Sequence, residues 1–277
     1  MCRHRWHEDS GIAGRGDMDF EILMSCMDQE DFSLIDQSNI RTNILAVNQC
    51  GRDGMREEEQ DGVVRRMLDS AQKGLSRSRN MALQYARGEF CLLADDDETF
   101  VEDVEQIVLR AFRETGADIV AFDLQDYPKR LKKTVHRVKK FESLKLSSCQ
   151  LALRRKAILD VGLEFDVYLG AGTGNGAGEE NKFLWDAFRT GLKVYYYPAY
   201  IARLALGDSS WFAGYDREYF YKRGKVTSYY MGRFWGAVYA AFFVVTKRSL
   251  YRKDCGFWEA LCASMKGICS EKNFSDI

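Results

Sequence analysis

The chain has 277 residues, 46% of them apolar and 29% charged, which excludes global disorder and leaves room for one large domain or two small ones. Forty basic residues against 41 acidic ones give a net charge of −1, so a polybasic nucleic-acid binder is excluded. Eight scattered cysteines without a CxxC pair and only two prolines point away from a zinc ribbon, a disulfide scaffold or a proline-rich linker architecture.

Residues 1–10 read MCRHRWHEDS, with no apolar stretch of the kind a signal peptide needs. A reducing, cytoplasmic setting is expected. Cys2, His4 and His7 are potential ligands, but the polar leader of residues 1–18 is expected to be a disordered tail. Residues 20–27 (FEILMSCM) then read as a buried strand by length and apolarity. A second strand is expected over 42–47 (TNILAV), ending in a turn at Asn48-Gln49-Cys50-Gly51, and a weaker third over 62–69. Leu75, Met81, Ala82, Tyr85 and Ala86 share one stripe at helical spacing, which predicts a helix over 75–87 stopped by Gly88.

Residues 90–94 (FCLLA) form an apolar strand that ends abruptly on Asp95-Asp96-Asp97-Glu98. An amphipathic helix over 101–115 and a strand over 118–124 follow. This strand–helix alternation predicts a parallel, doubly wound α/β sheet, in which ligands bind at the carboxyl ends of the strands. The acidic cluster sits at such an end. Four adjacent acids repel one another and each prefers water, so a bare cluster costs stability. A divalent cation relieves that cost, and hard oxygen donors select Mg²⁺ or Mn²⁺. Helix capping before Val101 accounts for one or two of these acids but not for four.

Further on, a strand is expected over 147–153, a short helix from Arg154, a glycine loop over 170–178 (GAGTGNGAG), a helix over 179–190 and an aromatic strand over 193–200. The loop satisfies G-x-G-x-x-A, but no acid ends the next strand to bind a ribose, so a flexible hinge or a close approach to a sugar is the better expectation. Residues 229–246 are apolar over 18 positions, interrupted by Arg233 and flanked by bases. That pattern suits a core helix or a helix lying in a membrane interface, and is weak for a membrane-spanning one. Trp211, Phe212, Tyr215 and Tyr219 are candidates to stack on sugars or to pack at an interface.

The near-neutral total hides segregation. Residues 19–62 carry 11 acids and three bases, and residues 89–126 carry 12 acids and two bases. Residues 129–156 then carry 11 bases and one acid, and residues 211–256 carry nine bases and three acids. Such a split fits a cation site in the first part and an anionic partner met by the second.

Two enzyme classes use an acidic strand end of this kind. The spacing Asp95-x-Asp97-x-Thr99 suits a haloacid-dehalogenase-type phosphatase, with Asp95 as nucleophile and Gly207-Asp208 as its distal acidic motif. A nucleotide-sugar glycosyltransferase uses Asp-x-Asp to hold the cation that bridges a diphosphate. A non-catalytic sugar-nucleotide-binding module is a third reading. The surroundings resemble family 2 glycosyltransferases of the GT-A fold: Gly74 through Leu83 (GLSRSRNMAL), then Ala86-Arg87-Gly88-Glu89, then Leu92 through Asp97. Downstream, Gly162-Leu163-Glu164-Phe165-Asp166, the glycine loop, Glu179-Glu180-Asn181, Gly191-Leu192-Lys193-Val194 and Tyr197-Pro198 follow in the family's order. The resemblance covers roughly residues 20–205 and is similar to bacterial members that build capsule or lipopolysaccharide chains.

The resemblance implies a metal-dependent, inverting transferase of the hexosyltransferase type. Asp97 would coordinate Mn²⁺ or Mg²⁺, with Asp95 on the metal or the donor's ribose. Ser25, Asn48, Gln49, Arg79, Asn80, Asp95 and Asp96 would line the pocket of a nucleotide-sugar donor, expected to be UDP-linked. Glu180 would be the general base, with Glu179 its competitor, because the family's Glu-Asp pair is Glu-Glu here. The acceptor would be lipid-linked or a polysaccharide, and peripheral contact with the inner face of an anionic membrane is expected. Two departures stand out: Gln49-Cys50 replaces the family's Asp after the second strand, and Ile201 through Leu204 replace a usual His, leaving Asp208 as the candidate third ligand. The implied organisation is a leader (1–18), a GT-A catalytic domain (19–208) and a helical C-terminal extension (209–277).

Overall fold

The structure is a computed structural model, and it describes residues 18–127, 131–175, 177–205 and 214–270. Residues 1–17 of the leader, Asp208, Trp211 and Phe212 lie outside the described residues, and Met18 already belongs to the first strand. The chain forms β1 (Met18–Met27), α1 (Ser33–Gln37), β2 (Ile44–Gln49), β3 (Gly54–Gln60), β4 (Val63–Ser70), α2 (Leu75–Tyr85) and β5 (Gly88–Asp95). It continues through β6 (Glu98–Phe100), α3 (Val104–Thr115), β7 (Ile119–Gln125), β8 (His136–Arg137), β9 (Leu151–Arg154), α4 (Arg155–Asp160), α5 (Glu179–Arg189) and β10 (Val194–Leu204). Among the described residues four helices follow: α6 (Arg217–Met231), α7 (Arg233–Thr246), α8 (Arg248–Tyr251) and α9 (Phe257–Cys269).

One sheet runs in the order β3-β4-β2-β1-β5-β9-β7-β10-β6, with β8 added beside β10. β4, β2, β1 and β5 are parallel neighbours, and β10 is parallel to β7. β9 runs antiparallel between β5 and β7. Both faces are covered, which is why the central strands read as continuous apolar runs. On one face Ala82, Leu83 and Ala86 of α2 pack in one core with Leu23, Leu45, Val47 and Leu93. On the other, Val108, Ala111 and Phe112 of α3 join Ile22, Met24, Leu92 and Ala94. The alternation within β1 assigns Leu23 to one core and Ile22 and Met24 to the other.

The expected elements are present, with four differences of physical interest. β3 (GMREEEQ) is an exposed edge strand with almost no apolar content, so hydrophobic patterning cannot reveal it. It pairs antiparallel with β4 across the turn at Asp61 and Gly62, both with positive φ, and Glu58 of β3 forms an ion pair with Arg65 of β4 at 3.7 Å. Gly88 does not stop α2, which ends at Tyr85 with Ala86 N–H donating to the Ala82 carbonyl. Gly88 instead begins β5, where a Cβ would sit 2.7 Å from the Cβ of Glu21. The strand expected from Ser147 begins as a 3₁₀ turn over Ser148–Gln150, closed by a reciprocal Ser147–Gln150 capping box, and only then becomes β9. Finally, the apolar segment 229–246 is no single helix: Gly232, at φ +83°, breaks it into α6 and α7.

α6 and α9 form the closest helix pair of the C-terminal part. A Cβ on Gly224 would collide with the Ser264 carbonyl, and one on Gly267 with the Tyr221 carbonyl, so the two glycines permit the crossing. Tyr215 and Tyr219 stack edge to face at 5.0 Å and pack with the cluster of Phe220, Val244 and Tyr251.

A buried ion pair ties the sheet to α2. Arg66 of β4 donates to Glu21 of β1 at 2.6 Å, and the second Glu21 oxygen accepts the Arg87 and Gly88 N–H groups at 2.7 and 3.1 Å. Removing one member leaves the other charge buried without compensation. Glu21→Ala is therefore expected to lower the free energy of unfolding by about 3–5 kcal/mol in denaturant titrations, and a loss of less than about 1 kcal/mol would contradict this account.

Candidate active site

The parallel strands align their carboxyl ends. Ser25 pairs in register with Val47 on one side and with Asp95 on the other, and Asn48 pairs with Asp69. Ser25 and Asp95 thus share one register position and Asn48 and Asp69 the next, so all four lie at the carboxyl ends of four strands, the edge at which α/β sheets bind ligands.

α2 organises this edge through its first two turns. Ser76 Oγ donates to the Leu169 carbonyl at 2.7 Å, and Ser78 Oγ donates to Ser25 Oγ at 2.8 Å. Asn80 brackets the backbone of Phe165, donating to its carbonyl and accepting from its N–H, both at 2.8 Å. Arg79 is 1% exposed and donates to Asp95 at 2.8 Å and to Glu179 at 3.4 Å. Its guanidinium also lies 5.5 Å from the centre of the Phe165 ring. Burial penalises this cation, but the Asp95 and Glu179 carboxylates outweigh the penalty and hold its pKa above the ordinary arginine value.

Asn48 and Gln49 are buried and engaged with the protein itself. Asn48 donates to the Gln29 carbonyl and to Asp69, each at 2.8 Å, and accepts the Gln29 N–H at 2.9 Å. Gln49 accepts the Gly74 N–H at 2.7 Å and so holds the turn into α2. The carboxylate beside them is Asp69, which sequence reasoning did not single out. It also accepts from Arg56 at 3.0 Å. Burial raises its pKa, yet the hydrogen bonds from Asn48 and Arg56 prevail and leave it below the ordinary carboxylate value. An acid closing the run Met67-Leu68 was the available signal, the same one that marks Asp95.

The acidic turn splits by direction. Asp96 and Asp97 are exposed and Asp95 is half-buried, whereas Glu98 turns inward and is buried. Glu98 accepts the Asp95 N–H at 2.8 Å, and burial followed by the nearby Asp95 charge pushes its pKa well up. Glu98 thus closes the turn rather than facing the strand ends. Asp96 and Asp97 both have raised pKa values, first from loss of solvent and then from the Asp95 charge. Among the described residues no three His, Cys, Asp or Glu side chains converge as a complete metal cage. Two or three crowded carboxylate oxygens nevertheless fit a hard divalent cation, which ordinarily takes one or two protein carboxylates and completes its shell with phosphate and water.

At the start of α5, Glu179 is buried, with one oxygen on Arg79 and the other without a hydrogen-bond partner. Glu180 is half-buried and accepts from Asn181 Nδ2 at 2.6 Å. Burial, then repulsion from Glu179, raises the Glu180 pKa to about 8. Glu179 and Glu180 therefore have different environments: one neutralises an arginine, the other is bound by the neutral Asn181 amide and poised near neutral pH.

The described glycines of the loop make their close approaches within the protein. A Cβ on Gly170 would meet Glu179 at 3.2 Å and Ser76 Oγ at 3.3 Å, and one on Gly172 would meet Gly74 at 3.6 Å. Leu75 N–H donates to the Ala171 carbonyl at 3.3 Å, so this loop is docked on the start of α2. The helix α4 rather than a strand precedes it, which removes the setting a dinucleotide fingerprint needs.

Crystal structures of S. aureus TarS share this fold. The 1–349 fragment in complex with UDP superposes with a TM-score of 0.59 at 13% identity, over 84% of this chain and 73% of that one. The same fragment with UDP-GlcNAc gives 0.57 at 12% identity, over 85% and 74%. Among curated proteins none shows significant sequence similarity to the chain. Residues 32–161 match the family described as Glycosyl transferase family 2, a stretch holding Asn48, Asp69, Arg79 and the acidic turn. Over residues 32–161 the chain is thus similar to family 2 glycosyltransferases, on a mixed α/β fold of the GT-A type.

Proposed function

We propose that the protein transfers a hexosyl group from a nucleoside-diphosphate sugar, with UDP as the expected carrier, to an acceptor hydroxyl with inversion at the anomeric carbon. The observation that carries the reading is the Arg79 link. One buried guanidinium joins Asp95, on the strand-end row, to Glu179, beside the candidate base Glu180. The UDP and UDP-GlcNAc complexes of the similarly folded TarS support the donor class.

In this reading Glu180 accepts the acceptor hydroxyl's proton while the new bond forms opposite the leaving nucleoside diphosphate. Glu179 is a positioning residue, because Arg79 already occupies it. Asp97 and Asp95 would hold Mn²⁺ or Mg²⁺, which when bound neutralises the leaving diphosphate. Ser25, Arg79, Asp95 and Asp96 face the donor, while Asn48, Gln49 and Asn80 act on it by holding Asp69, Gly74 and Phe165. Asp69 supplies the carboxylate that Gln49-Cys50 lacks at the base end of the pocket. The acceptor is a lipid-linked or polysaccharide chain of a surface glycan, and the enzyme works at the inner face of the cell membrane.

The phosphatase reading of Asp95 and Asp97 gives way to this one. Arg79 neutralises the Asp95 carboxylate at 2.8 Å and blunts it as a nucleophile, and Thr99 lies in β6, paired with β10. The glycosyltransferase family match also favours an enzyme over the non-catalytic module.

Thermal shift with UDP-, GDP- and CMP-sugars, with and without Mn²⁺, tests the donor and the metal together. Stabilisation by a UDP-sugar that requires Mn²⁺ and disappears in Asp97→Asn is expected; no shift with any nucleotide would overturn the proposal. Glu180→Gln should leave donor binding intact and reduce transfer by about 10²–10⁴-fold. The base must be ionised to act, so the transfer rate should rise with pH and reach half its maximum near 8. Glu179→Gln removes the repelling charge and should move that midpoint down; a midpoint unchanged in Glu179→Gln contradicts the assignment.

A further inference from the structure

The C-terminal helices leave one apolar face uncovered. α7 buries Gly236, Ala240 and Val244, four residues apart, against the rest of the protein. Its opposite side is equally apolar but faces outward: Phe234 is 71% exposed, Trp235 48%, Phe242 58% and Val245 62%. A helix that is apolar all round is ordinarily enclosed. Here the outer side is bare, and an exposed contiguous apolar patch marks an interaction surface.

The charge around the patch is of one sign. From residue 231 to residue 253 there are five bases (Arg233, Lys247, Arg248, Arg252 and Lys253) and no acid. None lies between Arg233 and Lys247, so the cations stand at the two ends of the apolar stripe. The tertiary structure adds the other basic segment. Phe141, itself exposed, packs edge to face on Trp235 at 5.4 Å, and beside it in the chain are the exposed Lys139 and Lys140. Two cationic segments far apart in sequence thus meet at the Trp235 end of one aromatic stripe.

The geometry points to an anionic lipid bilayer as the occupant of this face. Its chemistry answers both halves of the patch: acyl chains for the Phe and Trp side chains, phosphate headgroups for the flanking cations. Spanning is not the mode, because no helix among the described residues is long and apolar enough to cross a membrane. At about 1.5 Å per residue, the 14 residues of α7 cover about 21 Å, less than the roughly 30 Å hydrocarbon core. α7 lies flat in the interface instead, with Phe234, Trp235 and Phe242 below the headgroups. This inference gives the peripheral location of the proposed function a defined surface, and rests on that reading only for the acceptor being membrane-bound.

Co-sedimentation of the full chain with vesicles tests it, using phosphatidylcholine alone and phosphatidylcholine mixed with phosphatidylglycerol. Binding is expected to the anionic vesicles, to weaken with salt, and to fall about tenfold or more in Phe234→Ser/Phe242→Ser. Lys247→Gln/Arg248→Gln should weaken binding to anionic vesicles while leaving the fold intact by circular dichroism. UDP-sugar hydrolysis in vesicle-free buffer, measured on the same samples, should be unchanged in all variants, which separates this test from that of the donor reading. Failure of the unmodified protein to bind anionic vesicles at low salt would overturn the inference. So would equal binding by Phe234→Ser/Phe242→Ser, or a dimer in buffer that this double variant converts to monomer.

Discussion

A guanidinium that is 1% exposed can persist only where carboxylates meet it. Arg79 has two, Asp95 and Glu179, and they come from segments 84 positions apart in the chain. That requirement organises the surroundings. Asn80 holds the backbone of Phe165, whose ring lies against Arg79, and Phe165 in turn stacks on Phe183 of α5 at 4.1 Å. The start of α5 is thereby brought to the strand ends. Gly170 allows the loop to approach Glu179 closely, and a side chain there would press on the carboxyl that neutralises Arg79. The glutamate pair is divided by the same constraint. One member is committed to the arginine, and the other, Glu180, has a raised pKa and forms no ion pair among the described residues.

The strand-end row shows how a binding edge is assembled from side chains that mostly bind protein. Asn48, Gln49 and Asn80 are occupied by Asp69, Gly74 and Phe165. In the proposed reading they act on the donor only by fixing these neighbours. The acidic turn works similarly: Glu98 folds inward, its pKa pushed up by burial, and closes the bend, while Asp96 and Asp97 stay exposed and Asp95 half-buried. Crowded carboxyls with raised pKa values are a standing electrostatic cost that a cation would lower, which is why the proposed metal position lies at this turn.

Much of this was legible from residue order. Apolar runs of strand length ending on polar residues revealed β1, β2 and β5, because strands covered on both faces have no polar side to show. β3 was not legible, since an edge strand is kept soluble by the charges that erase the hydrophobic pattern. Asp69 closes a short apolar run, but what singles it out is its contact with Asn48, which depends on β2 and β4 being neighbours. The break at Gly232 was hidden by continuous apolarity on both sides: hydropathy reports burial tendency, whereas a positive φ reports a turn.

Sequence alone determined the α/β alternation, the acidic strand end and the glycosyltransferase resemblance, because each is a local pattern of residue types imposed by strand burial, charge crowding or turn chemistry. Tertiary structure decided which carboxylates share Arg79, which of two adjacent glutamates takes the arginine, and which side of an all-apolar helix remains bare. Those outcomes rest on contacts between segments dozens of residues apart. No local pattern encodes them.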